Sequence, residues 1–446
     1  MRLIVYPGNP IRGCVEAPGD KSLSHRAVLL ATLAEGESRI ENFLVSGVTQ
    51  VMLDALTALG VPWRLEEDVL TIQGRELKGL KAPEQPIHCG NSATTLRLLA
   101  GLLAAAGIPA ILDGSAGLRR RPMLRIVEPL RRMGVPIDTA ENGCAPLVLR
   151  PRPAGHQLMA LDEDLPIASA QVKSCLLLAS LAANGETVLR EPGPSRDHTE
   201  RMLGSLGVPV TKRVIEEGRC YETRLIPTGQ ALRPFQMRLP GDFSAAAFLV
   251  TAAAITPGSS LKIMSVGLNP TRTGLIDALR QMGADIQTEN IIDQGGEPAG
   301  DVVVHATRLH GGWVGGPLVV RMIDEFSIFG VAAASAEGQT VVQDASELRY
   351  KESDRIHTLC QELGTLGVEV REAEDGFTVM GGQIAGGQVD AHGDHRLAMA
   401  MAVAGLVSQA PVCVEGAEII DESFPGFVDS LKALGAAVEE RPSTAQ

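Results

Sequence analysis

Two segments decide the fold: RLLAGLLAAAG at residues 97–107 and RMGVPIDT at residues 132–139. The first is apolar on nearly every face of a helix, which predicts a helix buried on all sides. The second ends an amphipathic helix at a glycine, because a left-handed C-cap favours a residue without a Cβ. A short β-prone segment follows that glycine. Together the two segments predict a unit of one buried helix and one amphipathic helix with strands between them.

This unit recurs along the chain. The pattern Leu or Met, then Gly, then Val or Ala appears at glycines 68 to 84 residues apart: Gly60, Gly134, Gly207, Gly283, Gly367 and Gly435. Apolar segments rich in small residues interleave with it and end at Gly36, Gly107, Gly185, Gly258, Gly338 and Ser408. One Leu-Gly-Val can end a helix in any α/β protein, but two interleaved series of matching period indicate one unit copied six times. Six units could form one ring or two lobes.

Polar residues stand at the predicted first turn of each buried helix. These turns hold Lys21, Ser22, Ser24 and Arg26; Asn91, Ser92 and Thr94; Ser169 and Gln171; Asp242 and Ser244; Asp324 and Glu325; and Asp394, His395 and Arg396. The plain interpretation is N-capping, for which short polar side chains are preferred. We expect it to account for Ser169, Ser244 and Thr94.

Capping does not account for Lys21, Arg26 or Arg396, because a cation is unfavourable at the positive end of a helix dipole. A bound phosphate or carboxylate offsets such a charge, since helix N-termini are anion sites. Further basic residues lie in LRRRPM (118–123), SRDHTERML (195–203) and ELRYKESDRI (347–356). We therefore expect an anion-binding site within an acidic protein.

Composition limits the partners and the compartment. The 446 residues carry 53 Asp and Glu against 40 Lys and Arg, a net charge of −13, which argues against nucleic-acid and membrane partners. The seven cysteines are scattered singly, so neither a zinc site nor a disulfide framework is expected. The N-terminal MRLIVYPGNP is too short for a signal segment. We expect a soluble, cytoplasmic protein.

The motifs resemble those of the 5-enolpyruvylshikimate-3-phosphate synthase family along nearly the whole chain. Besides the three basic motifs, the resemblance rests on PGDKSLSHRA (18–27), GNSATTLRLLAG (90–101), ASAQVKSCLLLA (168–179), PGDFSAAAF (240–248), IDEF (323–326), GDHRLAMA (393–400) and SFPGF (423–427). PGDKSLSHRA and ELRYKESDRI are long and specific, and both occur in the family's order.

The resemblance implies an α/β fold of two lobes, each an inverted α/β barrel of three units with helices inside and sheets outside. Residues 1–18 and 242–446 are expected in one lobe and residues 19–241 in the other, with the active site in the cleft between them. The implied activity belongs to the shikimate pathway of aromatic amino-acid biosynthesis. It transfers the enolpyruvyl group of phosphoenolpyruvate to the 5-hydroxyl of shikimate 3-phosphate, releasing phosphate through a tetrahedral intermediate. No metal or organic cofactor is implied, and we expect a monomer.

The resemblance also implies residue roles. The residues implied to contact shikimate 3-phosphate are Lys21, Ser22, Arg26, Ser169, Gln171, Arg196, Asp324 and Lys351. The residues implied to contact phosphoenolpyruvate are Lys21, Asn91, Ala93, Arg121, Gln171, Arg355 and Arg396. The catalytic groups are Asp324, Glu352 and Lys21. The chemistry needs a carboxylate at the 5-hydroxyl (Asp324) and an acid or base at C3, for which Glu352 and Lys351 stay open. Arginine suits planar oxyanions through bidentate hydrogen bonds.

Two positions depart from part of the family. Ala93 stands where glyphosate-sensitive relatives carry glycine, and its methyl group narrows the phosphoenolpyruvate pocket against the longer inhibitor. We therefore expect the glyphosate-insensitive class. Glu422 precedes SFP where some members carry a lysine that reaches phosphoenolpyruvate, so that lysine's role does not transfer.

Two other functions are compatible with parts of the sequence. An enolpyruvyl transferase acting on a UDP-amino sugar shares the fold, but it expects a Lys-Asn pair where this chain has Lys21-Ser22, and a cysteine that LRRRPM lacks. A catalytically inert anion-binding relative predicts the loss of Asp324, Glu352 or the arginines, and all of these are present.

Overall fold

The computed structural model describes residues 1–153, 155–215 and 220–442. The chain forms two compact units. Unit 1 contains Met1–Pro18, Pro240–Ile292 and the chain from Pro298 onward. Unit 2 contains Gly19–Leu239 and the short segment Asp293–Glu297. Within the described ranges, none of the helices has both the length and the apolarity that a membrane crossing requires.

Mostly buried helices are separated along the chain by more exposed ones. In chain order the α-helices are α1 (Lys21–Thr32), α2 (Gly47–Ala58), α3 (Ala93–Ala106), α4 (Leu124–Arg132), α5 (Ala170–Ser180), α6 (His198–Ser205), α7 (Phe243–Ile255), α8 (Gly274–Gln281), α9 (Pro317–Arg321), α10 (Phe326–Ser335), α11 (Arg355–Thr365), α12 (His395–Ala404) and α13 (Phe427–Ala433). Short 3₁₀ helices lie at Leu118–Arg120, Ser346–Tyr350 and Ala417–Glu422.

The strands are short and evenly spread. They are β1 (Arg2–Tyr6), β2 (Arg12–Glu16), β3 (Glu37–Glu41), β4 (Trp63–Glu66), β5 (Val69–Gln73), β6 (Ile87–His88), β7 (Ala110–Asp113), β8 (Ile137–Asp138), β9 (Leu147–Leu149), β10 (Asp162–Asp164), β11 (Thr187–Glu191), β12 (Val210–Ile215), β13 (Cys220–Leu225), β14 (Gln236–Arg238), β15 (Ser260–Gly267), β16 (Asp285–Gln294), β17 (Glu297–His305), β18 (Trp313–Val314), β19 (Gly338–Val342), β20 (Glu369–Ala373), β21 (Gly376–Gly381), β22 (Gly387–Asp390), β23 (Val412–Glu415) and β24 (Ala437–Arg441).

In the part of the chain that the structure describes, six four-stranded sheets share one topology, which confirms the six-fold repeat. Unit 2 holds β14-β3-β5-β4, β6-β7-β9-β8 and β10-β11-β13-β12, and unit 1 holds β2-β15-β17-β16, β18-β19-β21-β20 and β22-β23-β1-β24. In each sheet the first pair of strands is parallel and the second pair antiparallel. In the last sheet the N-terminal β1 lies between two C-terminal strands, with Arg2 opposite both Glu415 and Arg441.

The buried helices form the two cores, as predicted. All of α7 is buried, and it packs with α10 and α12 in the apolar core of unit 1. Helices α1, α3 and α5 contribute to the corresponding core of unit 2. The six repeat glycines that follow the surface helices all have positive φ, from 74° at Gly60 to 105° at Gly435. The left-handed conformation predicted at these helix ends is therefore present in every copy.

The capping predictions were right at one helix and wrong at two. Ser169 is the N-cap of α5, and its hydroxyl accepts a hydrogen bond from the Val172 amide. The N-caps of α3 and α7 are Ser92 and Asp242, not Thr94 and Ser244. The N-cap must precede the first helical residue with an extended backbone. Both helices begin before the residues that were predicted to cap them.

Candidate active site

Unit 1 gathers six polar side chains at the starts of its buried helices and beside α11. We call Asp324, Lys351, Glu352, Arg355, Asp394 and Arg396 the unit 1 cluster. Asp324 lies two residues before α10, and Arg355 is the first residue of α11. Lys351 and Glu352 follow the 3₁₀ helix Ser346–Tyr350. Asp394 is the N-cap of α12, and Arg396 lies in that helix's first turn.

Asp324 is surrounded by cations. Its Oδ1 lies 3.4 Å from Lys351 Nζ and 3.3 Å from Arg355 Nη1, and its Oδ2 lies 3.9 Å from Arg396 Nη2. The Asp324 side chain keeps 16% of its surface exposed, and that of Lys351 keeps 27%. A carboxylate that several cations share, and that solvent still reaches, is a candidate for exchanging a proton beside a bound anion.

Arg355 is the centre of the cluster. Its Nη2 donates to Glu352 Oε2 at 2.7 Å, and its Nε donates to Asp394 Oδ2 at 2.7 Å. Burial opposes the charge of Arg355, but Asp394, Glu352 and Asp324 outweigh it and raise the pKa of this guanidinium. Burial also opposes the charge of Asp394, yet Arg355 holds the pKa of that carboxyl below its usual value. Both groups are therefore charged, and the pair fixes the guanidinium plane.

Asp394 joins this ion pair to a helix end. Its Oδ1 accepts a hydrogen bond of 2.9 Å from the Arg396 backbone amide and so caps α12. Its Oδ2 accepts another of 3.1 Å from Ser353 Oγ. The sequence placed Asp394 at a helix start, but nothing in it revealed the bond to Arg355, which lies 39 residues away.

A second polar network lies at the starts of α7 and α10. Ser244 donates to the carboxylate of Glu325, which is completely buried next to Asp324. Arg272 donates to Asp242 at 2.7 Å and to Ser244 at 2.9 Å. Arg272 lies in the loop before α8, away from the starts of the buried helices, so the repeat pattern predicts no role for it. This network holds the segment that carries Asp324.

Unit 2 holds the other predicted residues at equivalent places. We call Lys21, Ser22, Arg26, Asn91, Ala93, Arg121, Ser169, Gln171 and Arg196 the unit 2 cluster. Its members lie at or near the starts of α1, α3 and α5, just after the 3₁₀ helix Leu118–Arg120, and shortly before α6. Because these helix N-termini carry unsatisfied amides and partial positive charge, they suit anionic ligands.

Arg26 is buried and bonded to neighbouring helices. Its Nε donates to Thr199 Oγ1 at 2.8 Å, its Nη2 to Ser174 Oγ at 2.7 Å, and its Nη1 to the Ser22 carbonyl at 3.0 Å. Burial lowers the pKa of Arg26 to about 10, partly offset by Glu200. The guanidinium remains charged at neutral pH and fixes the carbonyl of Ser22.

Gln171 is held by two residues of α3. Its Oε1 accepts a short hydrogen bond from Arg97 Nη1, and its Nε2 donates to Thr94 Oγ1 at 2.8 Å. Arg97 also donates through Nη2 to the Pro122 carbonyl at 3.0 Å, directly after Arg121. Arg97 therefore links two predicted site residues. Its place one turn after GNSAT was the available signal, and it was missed.

Asn91 and Ala93, two further residues of the unit 2 cluster, lie at the start of α3. Asn91 accepts a hydrogen bond of 3.0 Å from Ser115 Oγ through its Oδ1, which joins the turn before α3 to the loop that leads to Arg121. Ala93 is the first residue of α3 and is 2% exposed. Among the described residues, no group of three or more His, Cys, Asp and Glu side chains is arranged to hold a metal ion.

Comparison with known proteins gives consistent matches over the whole length. A family model described as EPSP synthase (3-phosphoshikimate 1-carboxyvinyltransferase) matches residues 5–431. A 3-phosphoshikimate 1-carboxyvinyltransferase of Halorhodospira halophila is 46% identical over 441 residues, covering 98% of this chain and 96% of the relative. One from Salinibacter ruber is also 46% identical, covering 96% of this chain and 98% of the relative.

Solved structures agree. An EPSP synthase from Acinetobacter baumannii has a TM-score of 0.85 at 40% identity, covering 98% of this chain and 100% of that one. The enolpyruvyl transferase NikO from Streptomyces tendae has a TM-score of 0.79 at 19% identity, covering 98% of both chains, and so shares the fold. The fold expected from the resemblance is confirmed.

Proposed function

The chain belongs to the EPSP synthase family, and from that premise we propose which of its side chains carry the family's reaction. The protein is a 3-phosphoshikimate 1-carboxyvinyltransferase of the shikimate pathway. It transfers the enolpyruvyl group of phosphoenolpyruvate to the 5-hydroxyl of shikimate 3-phosphate, and phosphate leaves from a tetrahedral intermediate. We propose that the unit 1 and unit 2 clusters bind the same pair of substrates in this one reaction.

Asp324 takes the proton of the 5-hydroxyl as that oxygen attacks C2 of phosphoenolpyruvate. The observation that carries this assignment is that Asp324 is partly exposed and lies within 4 Å of the charged nitrogens of Lys351, Arg355 and Arg396. A carboxylate placed beside the hydroxyl can accept its proton as a general base. The same cations attract the anionic substrates.

Glu352 exchanges the proton at C3. Its Oε2 is held by Arg355, and 22% of its side chain is exposed. C3 must gain a proton when the intermediate forms and lose one when phosphate leaves, so a single group can serve as acid and then as base. Lys351 is the alternative for this role, because its ammonium lies in the same cluster.

Arginines bind the phosphate and carboxylate of phosphoenolpyruvate. We assign Arg355 and Arg396 of unit 1 and Arg121 of unit 2 to this role, with Lys21 neutralising charge on both substrates. Fixed guanidinium groups bind planar oxyanions through two parallel hydrogen bonds. They also stabilise the charge that develops on the leaving phosphate. Asn91, Ala93 and Gln171 complete the contacts to phosphoenolpyruvate.

The starts of α1 and α5, together with the segment before α6, bind shikimate 3-phosphate. The residues are Lys21, Ser22, Arg26, Ser169, Gln171 and Arg196, joined by Asp324 and Lys351. The support for this assignment is that a phosphate is favoured at helix N-termini that also carry basic side chains. Arg26 acts in part through the Ser22 carbonyl that it holds.

The test is phosphate release with both substrates present. We expect turnover with phosphoenolpyruvate and shikimate 3-phosphate, and none when a UDP-amino sugar replaces the latter. Turnover with the UDP-amino sugar alone would favour the cell-wall transferase. Binding of both substrates without phosphate release would favour an inert relative. Asp324→Asn and Glu352→Gln should each bind the substrates and lose most turnover.

We also propose that the protein works as a monomer in the cytoplasm, without nucleic-acid or membrane partners. The net charge of −13 disfavours polyanionic partners, and single, scattered cysteines suit a reducing compartment. Light scattering after size exclusion should give a mass near the 47.1 kDa of one chain. A mass of two chains would refute the monomer.

A further inference from the structure

Four charged side chains are buried together in unit 2. We call Arg26, Lys173, Glu191 and Glu200 the buried quartet, and none of them is more than 4% exposed. Lys173 Nζ lies 2.7 Å from Glu191 Oε2 and 2.9 Å from Glu200 Oε1. Burial opposes the charge of Lys173, but Glu191 and Glu200 outweigh it and raise the pKa of this ammonium. Two cations and two anions make the quartet neutral.

A contribution to folding stability is a weak explanation for the presence of the buried quartet. Removing charges from water costs several kcal/mol per ion, and a buried ion pair is often no better for stability than apolar residues of the same size. What a buried network of ion pairs and hydrogen bonds does provide is fixed geometry. The segments that the quartet holds therefore indicate its use.

Three segments that carry the proposed ligands of shikimate 3-phosphate are bonded to the quartet. Glu191 accepts a hydrogen bond from the Ser169 amide at 3.0 Å, at the N-cap of α5. It also accepts hydrogen bonds of 2.8 Å from Ser195 Oγ, the residue before Arg196. Arg26 holds the Ser22 carbonyl. Ser22, Ser169 and the segment that carries Arg196 thus share one buried anchor.

Lys173 also contacts this segment directly. Its Nζ donates to the Ser195 carbonyl at 3.5 Å. Hydroxyl groups join the rest: Thr199 Oγ1 donates to Ser174 Oγ at 2.7 Å, and Arg26 donates to both of these oxygens. The network therefore ties α1, α5 and α6 together behind the residues proposed to meet the substrate.

We infer that Lys173 and Glu191 are positioning residues, which set the geometry of the shikimate 3-phosphate ligands without touching the substrate. This inference rests on the proposed function, because it takes Ser22, Ser169 and Arg196 as ligands of that substrate. A displacement of such groups by about 1 Å can lower the rate of a reaction about a hundredfold. The quartet contacts given above lie within unit 2, whereas Arg355 and Arg396, two of the arginines proposed for phosphoenolpyruvate, lie in unit 1. The KM for phosphoenolpyruvate should therefore change less than the KM for shikimate 3-phosphate.

The experiment compares Lys173→Met, Glu191→Gln and the double variant by steady-state kinetics with each substrate varied in turn. Lys173→Met leaves two buried carboxylates against one cation, and we expect the KM for shikimate 3-phosphate to rise about tenfold or more. The KM for phosphoenolpyruvate should rise severalfold less, because only Lys21 and Gln171 among its proposed ligands lie on the helix starts bonded to the quartet. The double variant leaves Arg26 with Glu200 and restores neutrality, so it should recover part of the loss.

A matched control is Glu222→Gln. Glu222 is 3% exposed in the same unit and is bonded to Arg213 and Arg224 in the sheet of β12 and β13. It should lower the melting temperature and leave both KM values unchanged. Equal rises of both KM values in Lys173→Met, or the same rise in Glu222→Gln, would refute positioning. If Lys173→Met does not fold, Glu191→Gln and the double variant decide the outcome by the same criterion.

Arg196→Gln separates this inference from the proposed function. If it leaves the KM for shikimate 3-phosphate unchanged, the assignment of Arg196 as a ligand is wrong. If Arg196→Gln raises that KM and neither Lys173→Met nor Glu191→Gln does, only the positioning inference is wrong.

Discussion

Replacing Asp394 with asparagine tests how Arg355 is held. The Asp394 side chain is completely buried, and it accepts hydrogen bonds from Arg355 Nε at 2.7 Å and Nη2 at 3.3 Å. Asparagine has the same shape and is an equally good N-cap, so the cap on the Arg396 amide survives. The substitution therefore removes one negative charge and sets an amide NH₂ group or a neutral oxygen against a buried guanidinium.

The expected loss of unfolding free energy follows from these contacts. A hydrogen bond to a charged group contributes about 1.5–3 kcal/mol, and removing one partner of a buried ion pair costs about 3–5 kcal/mol. Glu352 and Asp324 still face Arg355, so we place Asp394→Asn at the lower end, about 3 kcal/mol of unfolding free energy. For a unit of this size that corresponds to a melting temperature lower by about 6–12 °C. Asp394→Ala should lose about 1 kcal/mol more, because the cap is also removed.

Thermal unfolding followed by circular dichroism measures this loss, and kinetics measure its effect on the site. Because Arg355 is proposed to bind phosphoenolpyruvate, the KM for that substrate should rise more than the KM for shikimate 3-phosphate. The control is Asp277→Asn, which breaks a partly exposed ion pair with Arg321 in the same unit and should change stability by less than about 1 kcal/mol. If Asp394→Asn melts like Asp277→Asn and binds phosphoenolpyruvate normally, Arg355 does not depend on Asp394.

Three further changes test other parts of the molecule. Asp324→Asn should reduce kcat by at least about a hundredfold with small changes in either KM, since general-base catalysis contributes about that much; an unchanged kcat contradicts its role. Burial lowers the pKa of His25 to about 4. Its unfolded form binds a proton below about pH 6.5 while the folded form does not, so stability should fall by up to about 3 kcal/mol between pH 6.5 and pH 4. His25→Gln should flatten that part of the stability profile, and an unaltered slope argues against His25 as its source. Ala93→Gly should make inhibition by glyphosate, measured against phosphoenolpyruvate, at least about tenfold tighter than in the parent, which we propose to be insensitive; micromolar inhibition of the parent refutes that proposal.

The sequence predicted the repeated architecture well, because its signals are local. A glycine such as Gly134 ends its helix whatever surrounds it, since the left-handed cap depends on that residue's own backbone. The apolar character of α7 likewise predicts full burial without knowledge of its neighbours. Every copy of the unit repeats these signals, so the errors at single positions, such as the cap of α7, did not affect the fold.

The side-chain partners could not be predicted from the same sequence. Arg97 bonds to Gln171 and Glu191 to Ser195, and these contacts depend on how the helices and loops of one unit pack together. A polar residue at a predicted helix start indicates a cap or a ligand contact. The residue type does not show whether the side chain faces a ligand or another segment of the chain. Asp394 illustrates this, because its spacing identifies a cap and only the fold shows the guanidinium beside it.

The position of β1 between β23 and β24 has a consequence for synthesis on the ribosome. Residues 2–6 emerge well before their partners, which begin at residue 412. At about 5–20 residues per second, roughly 20–80 s pass before this sheet can close. Most of unit 2 is one continuous stretch, Gly19–Leu239, and is complete long before then. We therefore expect nascent chains in which unit 2 is already folded while β1 is still unpaired. As an exposed strand, β1 needs protection until β23 and β24 have been synthesised.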